Sequence, residues 1–74
     1  MKKSLPIWKV IVSAKSRNSF EVITWNDTAK RAVLIFKYKK YETALEAGRY
    51  FAIDLGKTFK YVALVDAAFG KLYG

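Results

Sequence analysis

The chain contains no cysteine and no histidine among its 74 residues. Without cysteine there is no disulfide framework, and a fold that needs none is compatible with a reducing cytosol, so we expect a cytoplasmic protein. The imidazole and thiolate ligands that zinc prefers are therefore missing. Six dispersed carboxylates form no calcium loop, and we expect neither a metal nor a cofactor.

Catalytic motifs are missing as well. The four glycines are scattered at positions 48, 56, 70 and 74 and form no phosphate-binding loop. Glu42 and Glu46 share a helical face, but they lie beside cations such as Arg49 and Lys40, which favours a solvated face over an acid/base pair. We expect a protein that is not an enzyme.

Long apolar runs are also absent. No uninterrupted run approaches the roughly 20 residues of a membrane-spanning helix. Residues 1–14 resemble a short secretory signal, but Lys9 interrupts the apolar stretch and cleavage would remove the first strand of a very small domain. We expect residues 1–74 to form a single small domain, because the chain is short and its 53% hydrophobic content argues against disorder.

The positive charge is concentrated in the first half of the chain. Residues 1–40 hold ten of the 14 Lys and Arg but only two acids, a net +8 (10 − 2), whereas residues 41–74 hold four bases and four acids and are neutral. A basic surface on one half of a small domain is typical of a protein that binds a polyanion.

Alternating apolar and polar residues predict three strands, at residues 7–14, 20–25 and 31–38. The polar segments between them, residues 15–19 and 26–30, are too short for anything but an antiparallel meander. In the first strand, alternation separates two faces, one with Trp8, Val10 and Val12 and one with Ile7, Lys9 and Ile11.

The period then changes to that of an amphipathic helix. Thr43 and Glu46 fit a capping box at its start, and Gly56 is placed for a residue of positive φ just beyond its end. The inward positions are Ala44, Ala47, Gly48, Phe51 and Leu55, and the outward ones are Glu42, Glu46, Arg49, Tyr50 and Ile53.

Residues 59–65 predict a fourth strand, and residues 66–74 give no clear pattern. The predicted fold is α+β, in the order β-β-β-α-β, with the helix packed on one face of the sheet.

Basic residues interleaved with aromatic ones are the main functional signal, and the densest case is residues 37–41. Cations neutralise phosphates, while rings stack on bases. The candidate nucleic-acid-binding residues are Lys9, Lys15, Arg17, Trp25, Lys30, Arg31, Lys37, Lys39 and Lys40. The alternative is that Tyr38 and Tyr41 pack under the helix and the lysines only confer solubility.

The segment Tyr41 to Tyr50 (YETALEAGRY) at the start of the predicted helix resembles the F-D-T-A-E-E-A-A-R-x-Y pattern of plant ethylene-response-factor DNA-binding domains. The order of three strands and a helix over residues 8–56 is also similar to the arm-site-binding domains of phage and transposon integrases. The resemblance implies a sheet that binds the major groove, with Lys9, Lys15, Arg17, Lys30, Arg31, Lys37 and Lys39 on or beside it. The R-G-V-R and W-L-G elements of the plant family are absent, so no base-reading residue transfers.

The leading hypothesis is a non-enzymatic module that binds double-stranded DNA through the basic sheet, with Trp25 or Arg17 near base edges. A binder of single strands or RNA is the second hypothesis, with Trp8, Trp25, Tyr38 or Tyr41 stacking on bases. The third is a protein-interaction module. This class includes a homodimer through an apolar sheet face, a small viral or phage inhibitor, and an accessory protein with an acidic partner.

Overall fold

A computed structural model describes residues 8–59 and 61–73, and the side chains of residues 8–59 and 61–70. The elements in chain order are β1 (Trp8–Ser16), β2 (Ser19–Asn26), β3 (Arg31–Tyr38), α1 (Tyr41–Gly56), β4 (Val62–Asp66) and β5 (Lys71–Tyr73). The fold is α+β and has the predicted β-β-β-α-β order, followed by one short strand that the sequence did not predict. Ile7 and Lys60, assigned to the first and fourth predicted strands, lie outside the described residues, as do the first seven residues of the stretch compared with a signal.

The first three strands form the expected antiparallel meander. The turn between β1 and β2 is only Arg17 and Asn18, shorter than predicted, so Lys15 belongs to β1. In the turn between β2 and β3, Asn26 Oδ1 accepts the backbone N–H groups of Thr28 and Ala29, each at 3.0 Å. This local bonding is the reason that asparagine favours tight reversals.

The fourth strand does not extend the meander at its end. It lies beside β1 and runs parallel to it, giving the sheet order β3-β2-β1-β4-β5. A parallel neighbour requires a crossover connection, and α1 provides it by crossing one face of the sheet. The meander is therefore at one side of the sheet, with β3 as an edge strand.

The core lies between α1 and the sheet. Its fully buried members are Val10, Val12 and Val22 of the sheet and Ala44 of the helix, which pack with Leu64 of β4. The predicted separation of the first strand into two faces is confirmed, and the face with Val10 and Val12 is the buried one. Among the predicted inward helix residues, Phe51 and Leu55 are half-buried at the margin of this core, and the predicted outward residues are exposed.

Both predicted helix boundaries are wrong in detail. The helix begins at Tyr41, two residues before Thr43, and its N-cap is Lys40, which makes no side-chain capping bond. Tyr41 is held in the first turn because its hydroxyl donates to the buried Asp66 carboxylate and its ring packs on Phe69. The last helical residue is Gly56, whose φ is not positive, and the backbone N–H groups of residues 57–59 close the end with bonds to carbonyls of the last turn.

Candidate nucleic-acid interface

The sheet has one face covered by α1 and one face that no described element covers. Because side chains alternate along a strand, the residues between the buried valines point away from the helix. We call this second surface the open face, and its members on β1 to β4 are Lys9, Ile11, Ser13, Glu21, Ile23, Trp25, Ile35, Lys37, Ala63 and Val65.

An apolar row crosses the middle of the open face. Ile35 of β3 is opposite Ile23, which is opposite Ile11, which in turn is opposite Val65 of β4. The four side chains lie side by side across four strands, perpendicular to the strand direction. They are partly or largely exposed, so the centre of the open face is apolar and accessible.

At one end of the strands lie five cations, which we call the turn cluster: Lys15, Arg17, Lys37, Lys39 and Lys40. The pairing of Phe20 with Tyr38 brings the end of β3 beside the turn between β1 and β2. The acid described within this group is Glu21, whose Oε1 lies 3.7 Å from Lys15 Nζ and which is opposite Lys37 in register. All five cations are exposed, so this end has a strong positive potential.

At the opposite end, three groups converge on one carboxylate oxygen. Asp27 Oδ1 accepts the indole N–H of Trp25 at 3.2 Å and lies 3.4 Å from Lys9 Nζ and 3.5 Å from Lys30 Nζ. We call Lys9, Trp25, Asp27 and Lys30 the Asp27 cluster. The sequence analysis did not single out Asp27, although its spacing of three from Lys30 was visible; its contact with Lys9 depends on the register of β1 and β2.

The pKa of Asp27 reflects opposing effects. Partial burial of the carboxylate raises the pKa, but the hydrogen bond from Trp25 and the charges of Lys30 and Lys9 outweigh it, so the pKa lies below its ordinary value. The carboxylate is therefore ionised at neutral pH. It holds the two lysines and the indole ring in place and neutralises part of the positive charge at this end.

The nine predicted site residues thus form two groups rather than one continuous patch. Lys9 and Lys15 are six positions apart on β1, which corresponds to about 20 Å along the strand. Arg31 is exposed near the Asp27 cluster, but it is opposite Asn26 and so belongs to the helix-side row of the sheet. Lys39 and Lys40 lie in the bend between β3 and α1.

Most of the described aromatic rings lie on the helix side. Ring centroids are 4.8 Å apart for Trp8 and Phe59, 5.1 Å for Phe36 and Phe51, and 5.9 Å for Phe20 and Tyr41. Tyr38 also packs against the core. Among the residues of β1 to β4, Trp25 is the aromatic residue on the open face. Tyr38 and Tyr41 therefore pack against the core, as the alternative interpretation of the sequence expected, although they neighbour lysines in the sequence.

Within residues 8–59 and 61–73, no group of three or more His, Cys, Asp or Glu side chains is placed to hold a metal ion. In the same part of the chain, no helix is long and apolar enough to cross a membrane. The molecule is a small basic α+β domain with one sheet face that no element of the described residues covers. No protein-family model, curated protein or solved structure shows a significant match to the chain.

Proposed function

We propose that this domain binds double-stranded DNA through its open face, without catalysing a reaction. The observation that supports the proposal best is the position of the cations, at both ends of an uncovered sheet face and about 20 Å apart. A major groove about 12 Å wide has a phosphate backbone along each side. Strands that cross such a groove would place the turn cluster at one backbone and the Asp27 cluster at the other.

This orientation also agrees with the width of the sheet. Five strands spaced about 4.8 Å apart are about 19 Å across, too wide to enter a groove with the strands running along it. With the strands across the groove, the apolar row of Ile35, Ile23, Ile11 and Val65 follows the groove. Aliphatic side chains in that position contact the methyl groups of thymine. The resemblance to the plant and integrase domains implies a sheet that binds the major groove. Here the additional strands widen the sheet, so its strands would have to cross the groove.

A binder of single strands is less favoured. Sheet platforms that bind single strands stack bases on exposed rings, and here β1 to β4 place one aromatic residue, Trp25, on the open face. Its indole N–H is already bonded to Asp27, which fixes the ring orientation. The protein-interaction alternative has one observation in its favour, the apolar row itself, since exposed apolar patches commonly mark contacts between proteins.

The proposal is tested by fluorescence-anisotropy titration against duplex DNA, single-stranded DNA and RNA at several salt concentrations. We expect duplex DNA to bind most tightly, with log Kd changing by several units per unit of log salt. The double variant Lys37→Ala/Lys39→Ala should weaken binding to all duplex sequences and reduce this slope by about one for each lost phosphate contact.

The matched control is Arg49→Ala/Lys57→Ala, which removes the same charge from two exposed positions outside the open face, one on α1 and one directly after it. This variant should retain the slope of the original protein. Equal slopes for the two double variants would contradict the assignment of the open face. Absence of duplex binding at low salt would overturn the proposal, and dimerisation in that case would favour the apolar row as a protein contact.

A further inference from the structure

The outer edge of β3 has no strand partner among the described residues, although β3 is eight residues long. Proteins usually protect such an edge by shortening it, by adding proline, or by covering it. The opposite edge strand, β5, has three residues. Neither proline nor an inward-pointing charge occurs in the central part of β3. Its one irregularity is a bulge at Val33, between the partners of Trp25 and Thr24, so the edge from Leu34 onward is regular and available for pairing.

The direction of the backbone groups on β3 follows from its bonds to β2. The Leu34 N–H donates to Thr24 Oγ1 at 3.0 Å, and the Thr24 hydroxyl is 3.5 Å from the Leu34 carbonyl oxygen. Leu34 therefore points its backbone polar groups toward β2. Because these groups alternate in direction along a strand, the N–H and C=O of Ile35 point outward from the sheet.

The side chains along this edge are exposed and apolar on both faces of the sheet. Exposed fractions are 44% for Val33, 52% for Leu34, 53% for Ile35 and 40% for Phe36. The helix lies mainly over β1, β2 and β4, and its described ring contact with β3 is that of Phe51 with Phe36. A strand added beside β3 would therefore gain apolar contacts on both faces as well as backbone hydrogen bonds.

A second copy of this chain is a poor occupant because its charges oppose those of the first. Two copies paired antiparallel and centred on Leu34 would place Arg31 opposite Lys37 twice. Shifting the centre to Ile35 places Lys37 opposite the apolar Val33. Each copy also has a net charge of +8. The cations at the two ends of β3, which are Arg31, Lys37 and Lys39, would instead pair with acidic residues of a partner.

We propose that the outer edge of β3 is a strand-addition site for an extended segment of a partner protein, with an apolar, β-forming centre of about five residues and acidic residues on both sides. The centre pairs with Ala32 to Phe36. The acidic flanks meet Arg31 at one end and Lys37 and Lys39 at the other. This site uses the edge of the sheet, but it shares Ile35, Lys37 and Lys39 with the proposed duplex contact, so a peptide on the edge and a duplex on the open face would compete for these residues.

The test uses a synthetic peptide of five alternating valine and threonine residues, flanked on each side by two glutamates. A peptide with lysine in place of each glutamate is the charge control. We expect the glutamate peptide to bind at least tenfold more tightly at low salt. In the unmodified protein, its binding should slow hydrogen exchange of the Ile35 amide at least tenfold, with little effect on the Leu34 amide, which already has a partner.

The variant Ile35→Pro removes an outward N–H without removing a bond to β2, and the preceding residue is already extended, as proline requires. Ile35→Thr is its control, because it keeps the N–H and the preference for a strand. Proline should reduce peptide affinity at least tenfold and threonine by a smaller factor.

Equal binding of the two peptides, or an Ile35 amide whose exchange does not change, would overturn the proposal. An Ile35 amide protected in the free protein, together with self-association in sedimentation, would assign the edge to a second copy instead. Duplex binding is measured separately, so either proposal can fail alone.

Discussion

At the scale of single residues, Gly48 determines how closely the helix approaches the sheet. A Cβ at this position would lie 3.0 Å from Val12 Cγ2 and 3.4 Å from Leu64 Cδ1. Glycine inside a helix is less favourable than alanine by about 1 kcal/mol, because its backbone loses more freedom. Here the loss is compensated by close contact between the helix and the fully buried valines of β1.

Gly48→Ala is expected to lower the free energy of unfolding by about 1 kcal/mol, because the overpacking it introduces outweighs the gain in helix propensity. Gly56→Ala is the matched control, since no atom lies within 4 Å of a Cβ there and its φ is not positive. This control should stabilise the protein by about 0.5 kcal/mol. Urea denaturation measures both values, and a stabilised Gly48→Ala protein would show that the helix contact is looser than described.

Asp27 should give the protein an acid-sensitive contact. Its pKa is lower in the folded protein than in the unfolded chain, so its ionised form favours folding above about pH 4, and that contribution is lost as the pH falls through the lowered folded value. The Trp25 indole N–H donates to this carboxylate, so its NMR chemical shift should titrate with a midpoint below the ordinary pKa of aspartate.

The double variant Lys9→Met/Lys30→Met should move this midpoint upward, because both lysines lie within 3.5 Å of Asp27 Oδ1. A midpoint at or above the ordinary aspartate value in the original protein would mean that burial, rather than the lysines and the indole, dominates the environment of Asp27.

At the scale of elements, the residue before the helix lacks a capping hydrogen bond but carries a charge that the proposed duplex contact uses. Lys40 has the extended backbone of an N-cap, φ −123° and ψ 143°, but its side chain accepts no hydrogen bond and puts a positive charge at the positive end of the helix dipole. Lys40 is also one of the five cations of the turn cluster. Its presence is consistent with a cation retained for a ligand at the expense of helix stability.

Lys40→Asp should therefore raise the free energy of unfolding by about 1 kcal/mol, because aspartate caps the helix and favours the dipole. The same variant should weaken duplex binding. Lys39→Asp makes the same change of charge one residue earlier, where it cannot serve as the N-cap, and should stabilise the protein less. If thermal unfolding gave equal shifts for both variants, net charge rather than capping would explain the effect.

Local patterns predicted some elements well and others poorly. The third strand was predicted at residues 31–38, as found, because turn residues precede it and a change of period follows it. The helix start was missed because Tyr41 is fixed by Asp66 and Phe69, which are distant in sequence. The strand β5 was missed because its three residues are too few for a period to be recognised.

At the scale of the whole molecule, the crossover helix determines which surfaces remain available. It places β4 beside β1 and buries the valines beneath it, so that within residues 8–59 and 61–73 nothing covers the second face of the meander or the outer edge of β3. The basic half of the chain therefore presents two surfaces. The open face has cations at both ends of an apolar row, and the outer edge of β3 has cations at both ends of an apolar strand.

The amino-acid sequence by itself determined the α+β class, the order of the first four strands and the helix, and the location of the excess charge in residues 1–40, because these depend on local periodicity and composition. Only the tertiary structure decided how that charge is distributed. Strand register joined Lys9 to Asp27 and separated it from the turn cluster, and it aligned Ile11, Ile23 and Ile35 in one row. Packing between the helix and the sheet placed Tyr38 and Tyr41 against the core. Register and packing depend on contacts between residues far apart in the chain, which periodicity does not specify.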